Sequence, residues 1–325
     1  VSDLRIEQID PAELTLELAE ELAAIKAAAQ ADIPVPSEDG ATFLHAVQYG
    51  DGSGPADGLW VAQRDGVPVG FVRVELPKTE NTHLANLRGA VAPAEQRRGV
   101  GRRLLEEVLA ATDRPRIRAR AWAGTTGEPA LQALGFRADH THVIRRLDLT
   151  REHPDWATLR KEAEVAADDY ELRRHIGPTP PADMAAMIAL REGINDAPEP
   201  GDYEVYTPER ISTYEESLMR GGETPYAIRA YHRSTGEPAG LTFVIVNERR
   251  PAKADQEDTS VLRAHRGHRL GLLLKLEMID WLRAERPDVE VADTWNASTN
   301  QHMIAINERL GMTPLATSVV HILDR

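Results

Sequence analysis

Apolar and polar positions follow readable periods along most of the chain. LRIEQI (4–9) alternates and predicts a strand. Asp10–Pro11 places an N-cap before a proline, so AELTLELAEELAAIKAAA continues as a helix. A second helix is predicted over 40–49. LWVAQR and VPVGFVRVEL flank Asp65–Gly66, a strong turn pair, and predict a hairpin. THLANLRGAV is the next strand. Residues 98–111 form a helix whose apolar face includes Leu104, Leu105, Val108 and Leu109. A strand (116–122), a helix (128–134) and a last strand (140–149) close the unit.

The pattern then repeats. Gly66, Pro68 and Gly70 match Gly236, Pro238 and Gly240 at an offset of 170. Val91, Gln96 and Gly101 match Val261, Arg266 and Gly271 at the same offset. Leu134–Gly135–Phe136 matches Leu310–Gly311–Met312 at 176, and Leu4–Arg5 matches Leu172–Arg173 at 168. Four features in one order with a drifting offset mean duplication with small loop insertions. The second copy predicts strands near 170–175, 226–232, 239–246, 258–262, 289–295 and 316–323, and helices near 181–194, 207–220, 267–285 and 298–310. DWATLRKEAEVAADD reads as a polar linking helix. The expected division is a first unit over 1–150, a linking helix over 151–169 and a second unit over 170–325. Each unit is α/β, with a hairpin meander and one strand–loop–helix crossover in a mixed sheet.

Composition narrows the chemistry. The chain of 325 residues has no cysteine, which excludes disulfides, thiolate nucleophiles and Cys-based zinc sites. Its net charge of −14 repels a phosphate backbone and attracts cations, so nucleic acid is a poor partner and an amine a good one. The 150 residues of the first unit carry −5 and the remainder −9. No apolar run is long enough to span a membrane, and the opening VSDLRIEQIDPAEL lacks the marks of a secretory signal. A cytoplasmic protein, monomeric or homodimeric and without membrane or metal partners, is the expectation.

The stretch VAPAEQRRGVGRRLLEEVLA carries the most specific signal. A strand that runs into a glycine-rich turn and a helix N-terminus aims several backbone N–H groups one way and favours an anion there. Neither a Walker loop nor a GxGxxG fingerprint is present. The pattern Gln/Arg-x-x-Gly-x-Gly, five residues after a strand-ending valine, resembles the acetyl-CoA pyrophosphate loop of the GCN5-related N-acetyltransferase family. The resemblance covers most of the chain, twice, and TWNASTNQHMIAINERLGM is similar to the second half of actinobacterial tandem members. It implies two tandem acyltransferase folds whose splayed central strands hold the pantetheine arm of acetyl-CoA. It also implies a set of cofactor residues: Val91, Gln96, Arg97, Arg98, Gly99, Val100, Gly101 and Arg102 in the first copy, and Val261, Arg266, Gly267, His268, Arg269, Leu270, Gly271, Asn296 and Asn300 in the second.

The two copies depart from the family pattern differently. The first keeps both glycines. The second has Arg269 where the middle glycine belongs, either blocking close phosphate approach or binding a phosphate itself, with Gly267 as a partial substitute. The second keeps Asn300, whereas the first has Gly124 there. Neither keeps the family tyrosine, since Leu131 and Asn307 stand in its place and cannot donate to a leaving thiolate. In the family an amine attacks the thioester directly, and a base takes its proton. A backbone N–H at a bulge in the strand before the loop polarises the carbonyl. In ADQEDTSVLR the candidate bases are Glu257 and Asp258, with Asp255 behind them. The first copy offers His83 and no carboxylate on its strand. Trp295 reads as packing, and Lys275 as a solvated or snorkelling residue.

These features imply acetyl transfer to a small amine, with the second unit as the working half. Loss of the tyrosine from both halves leaves a non-catalytic acyl-CoA-binding protein or sensor as the alternative. The acceptor pocket in this fold is built by 31–58, 195–206 and the region after 312, which carry no cue to the acceptor's identity.

Overall fold

The computed structural model describes residues 3–50, 54–196 and 203–325. The chain divides into two compact units, Val1–His142 with Ala316–Arg325, and Val143–Leu315.

The elements of the first copy are β1 (Leu4–Ile9), α1 (Leu16–Ala29), α2 (Gly40–Gln48), β2 (Gly58–Arg64), β3 (Val67–Glu75), β4 (Leu84–Val91), α3 (Val100–Ala111), β5 (Arg116–Trp122), α4 (Gly127–Ala133) and β6 (Arg137–Asp148). Then follow α5 (Trp156–Ala166), β7 (Tyr170–Ile176), α6 (Met184–Glu192), α7 (Pro208–Arg220), β8 (Glu223–His232), β9 (Pro238–Asn247), β10 (Lys253–Val261), α8 (Leu270–Glu285), β11 (Val291–Ala297), α9 (Gln301–Arg309) and β12 (Thr313–Asp324). The predicted hairpin forms with Asp65 (φ 54°) and Gly66 (φ 80°) both left-handed, the backbone that twists with its strands.

In the first unit the strand order is β1-β2-β3-β4-β5-β12, and in the second β6-β11-β10-β9-β8-β7. One parallel pair lies at the centre of each, β4 with β5 and β10 with β11. Each parallel pairing is short, ending at Leu87–Ala119 and at Gln256–Thr294, so the strands part on the side that leads to the loop. In the first unit α3 covers one face through Leu104, Leu105 and Val108, and α1 and α2 cover the other through Leu22, Phe43 and Val47. In the second unit α8 and α5 cover one face, and α6 and α7 the other through Met187, Leu190, Ile211 and Leu218.

Two expectations require correction. The first concerns the closing strands. The 140–149 strand was expected in the first sheet and the 316–323 strand in the second, whereas the structure exchanges them. Ser318–Asp324 of β12 pairs with Arg116–Trp122 of β5, and β6 enters the second sheet beside β11. Arg116 and Arg137 both hold Asp324, at 2.6 and 3.2 Å. Both strands have 12 residues and follow a helix and a Leu-Gly turn, so either fits either slot. The second concerns the 151–169 segment, expected as a polar linker. Helix α5 instead buries Trp156, Leu159 and Ala163 in the core of the second unit, and the Trp156 indole N–H donates to the Leu310 carbonyl at 3.0 Å.

Candidate functional site

The two strand–loop–helix segments have one backbone form. Gln96 donates from Nε2 to the Val91 carbonyl at 3.1 Å, and Arg266 donates from Nε to the Val261 carbonyl at 3.0 Å. Arginine thus makes the bond that glutamine makes in the other copy. Two left-handed residues follow at equivalent places, Arg97 (φ 61°) with Gly99 (φ 84°), and Gly267 (φ 88°) with Arg269 (φ 54°). Each loop has glycine at one left-handed position and arginine at the other, so Arg269 takes up the conformation of the glycine it replaces. Holding a side-chain-bearing residue there costs about 1–2 kcal/mol. Val100 and Leu270 are buried and anchor the helix starts. At Gly101 an added Cβ would come no nearer than 4.0 Å to Val91, and at Gly271 it would meet Ile306 at 3.7 Å and Val261 at 3.8 Å. Packing does not demand glycine at either point. The bare backbone there is a cradle that suits a phosphate close to a helix N-terminus.

The charges around the loops differ. In the first, Arg98 pairs with Glu95 at 3.0 Å, Arg64 holds the other oxygen of Glu95, and Arg97 and Arg102 stand exposed. In the second, Arg266 pairs with Asp196 at 2.7 Å and Arg263 approaches it at 3.6 Å. Arg269 pairs with Glu162 of α5, which Arg309 also holds at 3.1 Å. His268 is exposed beside Tyr170, with ring centroids 5.6 Å apart.

The strands before the loops differ as well. β4 pairs with β3 in unbroken register from Gly70–Val91 to Glu75–Asn86. β10 slips by one residue against β9 between Gln256 and Thr259, leaving Glu257 and Asp258 without register partners. This is a β-bulge at the point where β10 and β11 part. Ile245, packed under α6 and α7, pairs with Asp255, and Asp255 pairs with Asp293, so these acids share the α6/α7 face. The equivalent face of the first unit is basic. Arg88 stands across from Arg73, at the place of the bulge, and Arg118 stands beside Asn86, at the place of Asp293. The buried Glu75 joins Arg73 at 2.8 Å and Arg88 at 3.5 Å. His83, the only base expected in this half, is exposed ahead of β4, at the far end from the loop.

The two bulge carboxylates have different surroundings. Asp258 accepts from the Arg191 guanidinium at 2.7 Å. Arg191 is 5% exposed, with its guanidinium carbon 4.2 Å from the Phe243 ring centre and 5.6 Å from that of Tyr214. Glu257 is exposed at its surface, yet protein atoms crowd around its carboxyl to some depth. That depth, with Asp258 and Asp255 beside it, pushes its carboxyl up to about 8. The phenols of Tyr206 and Tyr214 are raised by burial and by the acids nearby, so they stay neutral donors. Arg191 lies 67 residues from Asp258, and its one signal in the sequence is an arginine that directly follows the apolar run MAAMIAL.

The remaining expected residues are engaged within the protein. Asn300 caps α9 by accepting from the Met303 N–H at 3.2 Å. Asn296 accepts from Asn307 at 2.7 Å, and Asn307, at the place of the family tyrosine, is fully buried. Leu131 packs against the first unit's core. Trp295, expected as packing, is 42% exposed. Lys275, expected at the solvent edge, is 2% exposed, and burial lowers its ammonium to about 7. Of the acceptor regions, 51–53 and 197–202 lie outside the described residues. Among the described residues no cluster of three or more metal-binding side chains occurs, and no helix is long and apolar enough to cross a membrane.

Residues 55–138 match the acetyltransferase (GNAT) domain family. The whole chain is similar in structure to a tandem GNAT protein from the clavulanic acid biosynthesis pathway. The identity is 25%, the similarity covers 99% of this chain and 98% of that one, and the TM-score is 0.80. A GCN5-related N-acetyltransferase from Sphaerobacter thermophilus shares the fold at 16% identity, over 99% and 95% of the two chains, with a TM-score of 0.69. No curated protein sequence matches. The exchanged closing strands complete two sheets of one plan, the first holding the GNAT-family match, and the repeated loop agrees with the likeness of the whole chain to a tandem GNAT protein.

Proposed function

We propose that the chain transfers an acetyl group from acetyl-CoA to the primary amine of a small molecule, and that transfer takes place in the second unit. The observation that carries this reading is the β-bulge at Glu257–Asp258, present in β10 and absent from β4. The family uses acetyl-CoA, which supplies the acetyl group as a thioester. In the second unit Arg266 to Gly271 would lie along its phosphates, with Val261, Asn296 and Asn300 along the opening between β10 and β11. In the first unit the backbone from Val91 and Gln96 to Arg102 would do the same, with the exposed Arg97 adding charge.

The bulge backbone N–H polarises the thioester carbonyl. Glu257 takes the proton of the attacking amine directly or through one water. The nitrogen–carbon bond forms, the carbon–sulfur bond breaks, and sulfur leaves with the electron pair. Asp258, held by Arg191, fixes the bulge and supplies negative charge for a cationic acceptor. A base lifted to about 8 makes the rate rise with pH through that range. Arg88 and Arg73 give the first unit no carboxylate at the equivalent place, which supports a holding role there.

The test is thiol release from acetyl-CoA with a panel of small primary amines, on the wild type and Glu257→Gln. Amine-dependent release that falls about 100-fold or more in the variant supports the reading. Release that is absent with every amine, while acetyl-CoA still binds, favours the acyl-CoA sensor, a reading that the loss of both tyrosines supports.

A further inference from the structure

The second loop has as many cations as the first, yet its arginines are engaged by carboxylates. Glu162 projects from α5, the helix that precedes the second copy. It joins Arg269, the left-handed residue of the loop, to Arg309 near the end of α9. Asp196 joins Arg266 to Arg263 from the other side. All six side chains are more than one-third exposed, so these contacts are open to exchange with a dissolved anion. A carboxylate and a phosphate oxygen make the same charge-assisted bonds to a guanidinium. Glu95 makes the comparable contact in the first loop with Arg98 alone among the loop cations, and among the described residues Arg97 and Arg102 have no such carboxylate.

We propose that Glu162 and Asp196 are built-in competitors for the phosphate groups of acyl-CoA at the second loop, and that they set the affinity of that unit. This rests on the reading that the second unit takes acyl-CoA. A pyrophosphate arriving at the loop must displace Glu162 from Arg269 and Asp196 from Arg266. The second unit is therefore the weaker and faster-exchanging site, suited to turnover. The first is the tighter one.

The test is calorimetric titration of the full chain with CoA in a Gly101→Glu background, which blocks the first loop, comparing Glu162→Gln, Asp196→Asn and the double variant. Each neutralisation is expected to tighten binding by about two- to fivefold, and the double variant by about the product. The gain should shrink as salt is raised. Inorganic pyrophosphate, titrated in parallel, should tighten in the same order, because the effect belongs to phosphate and not to the acyl chain. The two single variants act from different elements, so misfolding of one leaves the other to decide. Unchanged or weaker binding in folded variants overturns the proposal, as does absence of second-unit binding in all of them. Tighter binding without amine-dependent turnover would uphold the competition and sink the catalytic reading.

Discussion

Gly99 and Arg269 stand at the same point of two loops 170 residues apart, and both are left-handed. In the first loop glycine leaves open backbone at the helix start. In the second arginine fills the place and reaches Glu162. The strands feeding these loops differ the other way. The first is regular and faces Arg73 and Arg88, whereas the second is bulged and presents Glu257 and Asp258. One unit thus has the more open anion loop, and the other has the bulged, acidic strand. Duplication lets the two demands separate. A loop that binds phosphate tightly and a strand that turns over an amine need not improve together once there are two copies.

Several experiments sharpen or break that contrast. The largest effect is expected at Glu257. Glu257→Gln should lower kcat about 100-fold or more and remove the rise in rate centred near pH 8. Its stability should move oppositely. A carboxyl raised above its ordinary 4.5 loses stability as pH climbs from there toward 8, so the glutamine variant should melt higher than the wild type under alkaline conditions. A kcat that is unchanged in the variant would remove Glu257 from the mechanism.

Next is Arg191. Replacing it by methionine leaves the half-buried Asp258 without its partner and should cost about 3 kcal/mol in urea unfolding. The corresponding substitution of the exposed Arg97 should cost almost nothing. Trp156→Ala should cost about 3–5 kcal/mol if α5 is part of the second core, and little if it only links the units.

Smaller effects fall on the left-handed positions. Gly99→Ala and Gly267→Ala should each destabilise by about 1 kcal/mol, since both have strongly positive φ. Arg269→Gly relieves backbone strain and loses exposed ion pairs, so it should change stability by less than about 1 kcal/mol while altering CoA affinity. Lys275→Met gives the smallest signal at high pH. Its ammonium is lowered from 10.5 to about 7, so the cost of burying it is fully present below 7 and vanishes above 10.5. The variant should therefore gain more Tm near pH 6 than near pH 10.

Much of this contrast could be read from residue order. Asp65–Gly66 named its hairpin, Val91 and Gln96 named their loop, and the run Gln256–Glu257–Asp258 marked the strand with carboxylates. These are local signals, set by turn chemistry and by residues within a few positions of one another. The rest depends on long-range partners. Glu257 and Asp258 could not be ranked until Arg191 arrived from α6. Arg269 looked like a lost glycine because sequence records identity and not φ. The exchange of β6 and β12 was unreadable because both strands present the same pattern to the same slot. Trp156 lies in a polar stretch of sequence that the fold buries on one side, and Lys275, set in the apolar run Leu272–Leu276, is buried with its neighbours.

The central claim is that acetyl transfer belongs to the second unit and the more open phosphate loop to the first. The most direct measurement follows acetyl-CoA binding and amine-dependent thiol release together in Gly271→Glu, beside Gly101→Glu. Neither substitution meets a packing obstacle at its Cβ, so both report on the cradle. The account predicts that Gly271→Glu loses turnover and still binds one acetyl-CoA tightly. Turnover retained in Gly271→Glu and lost in Gly101→Glu would contradict it.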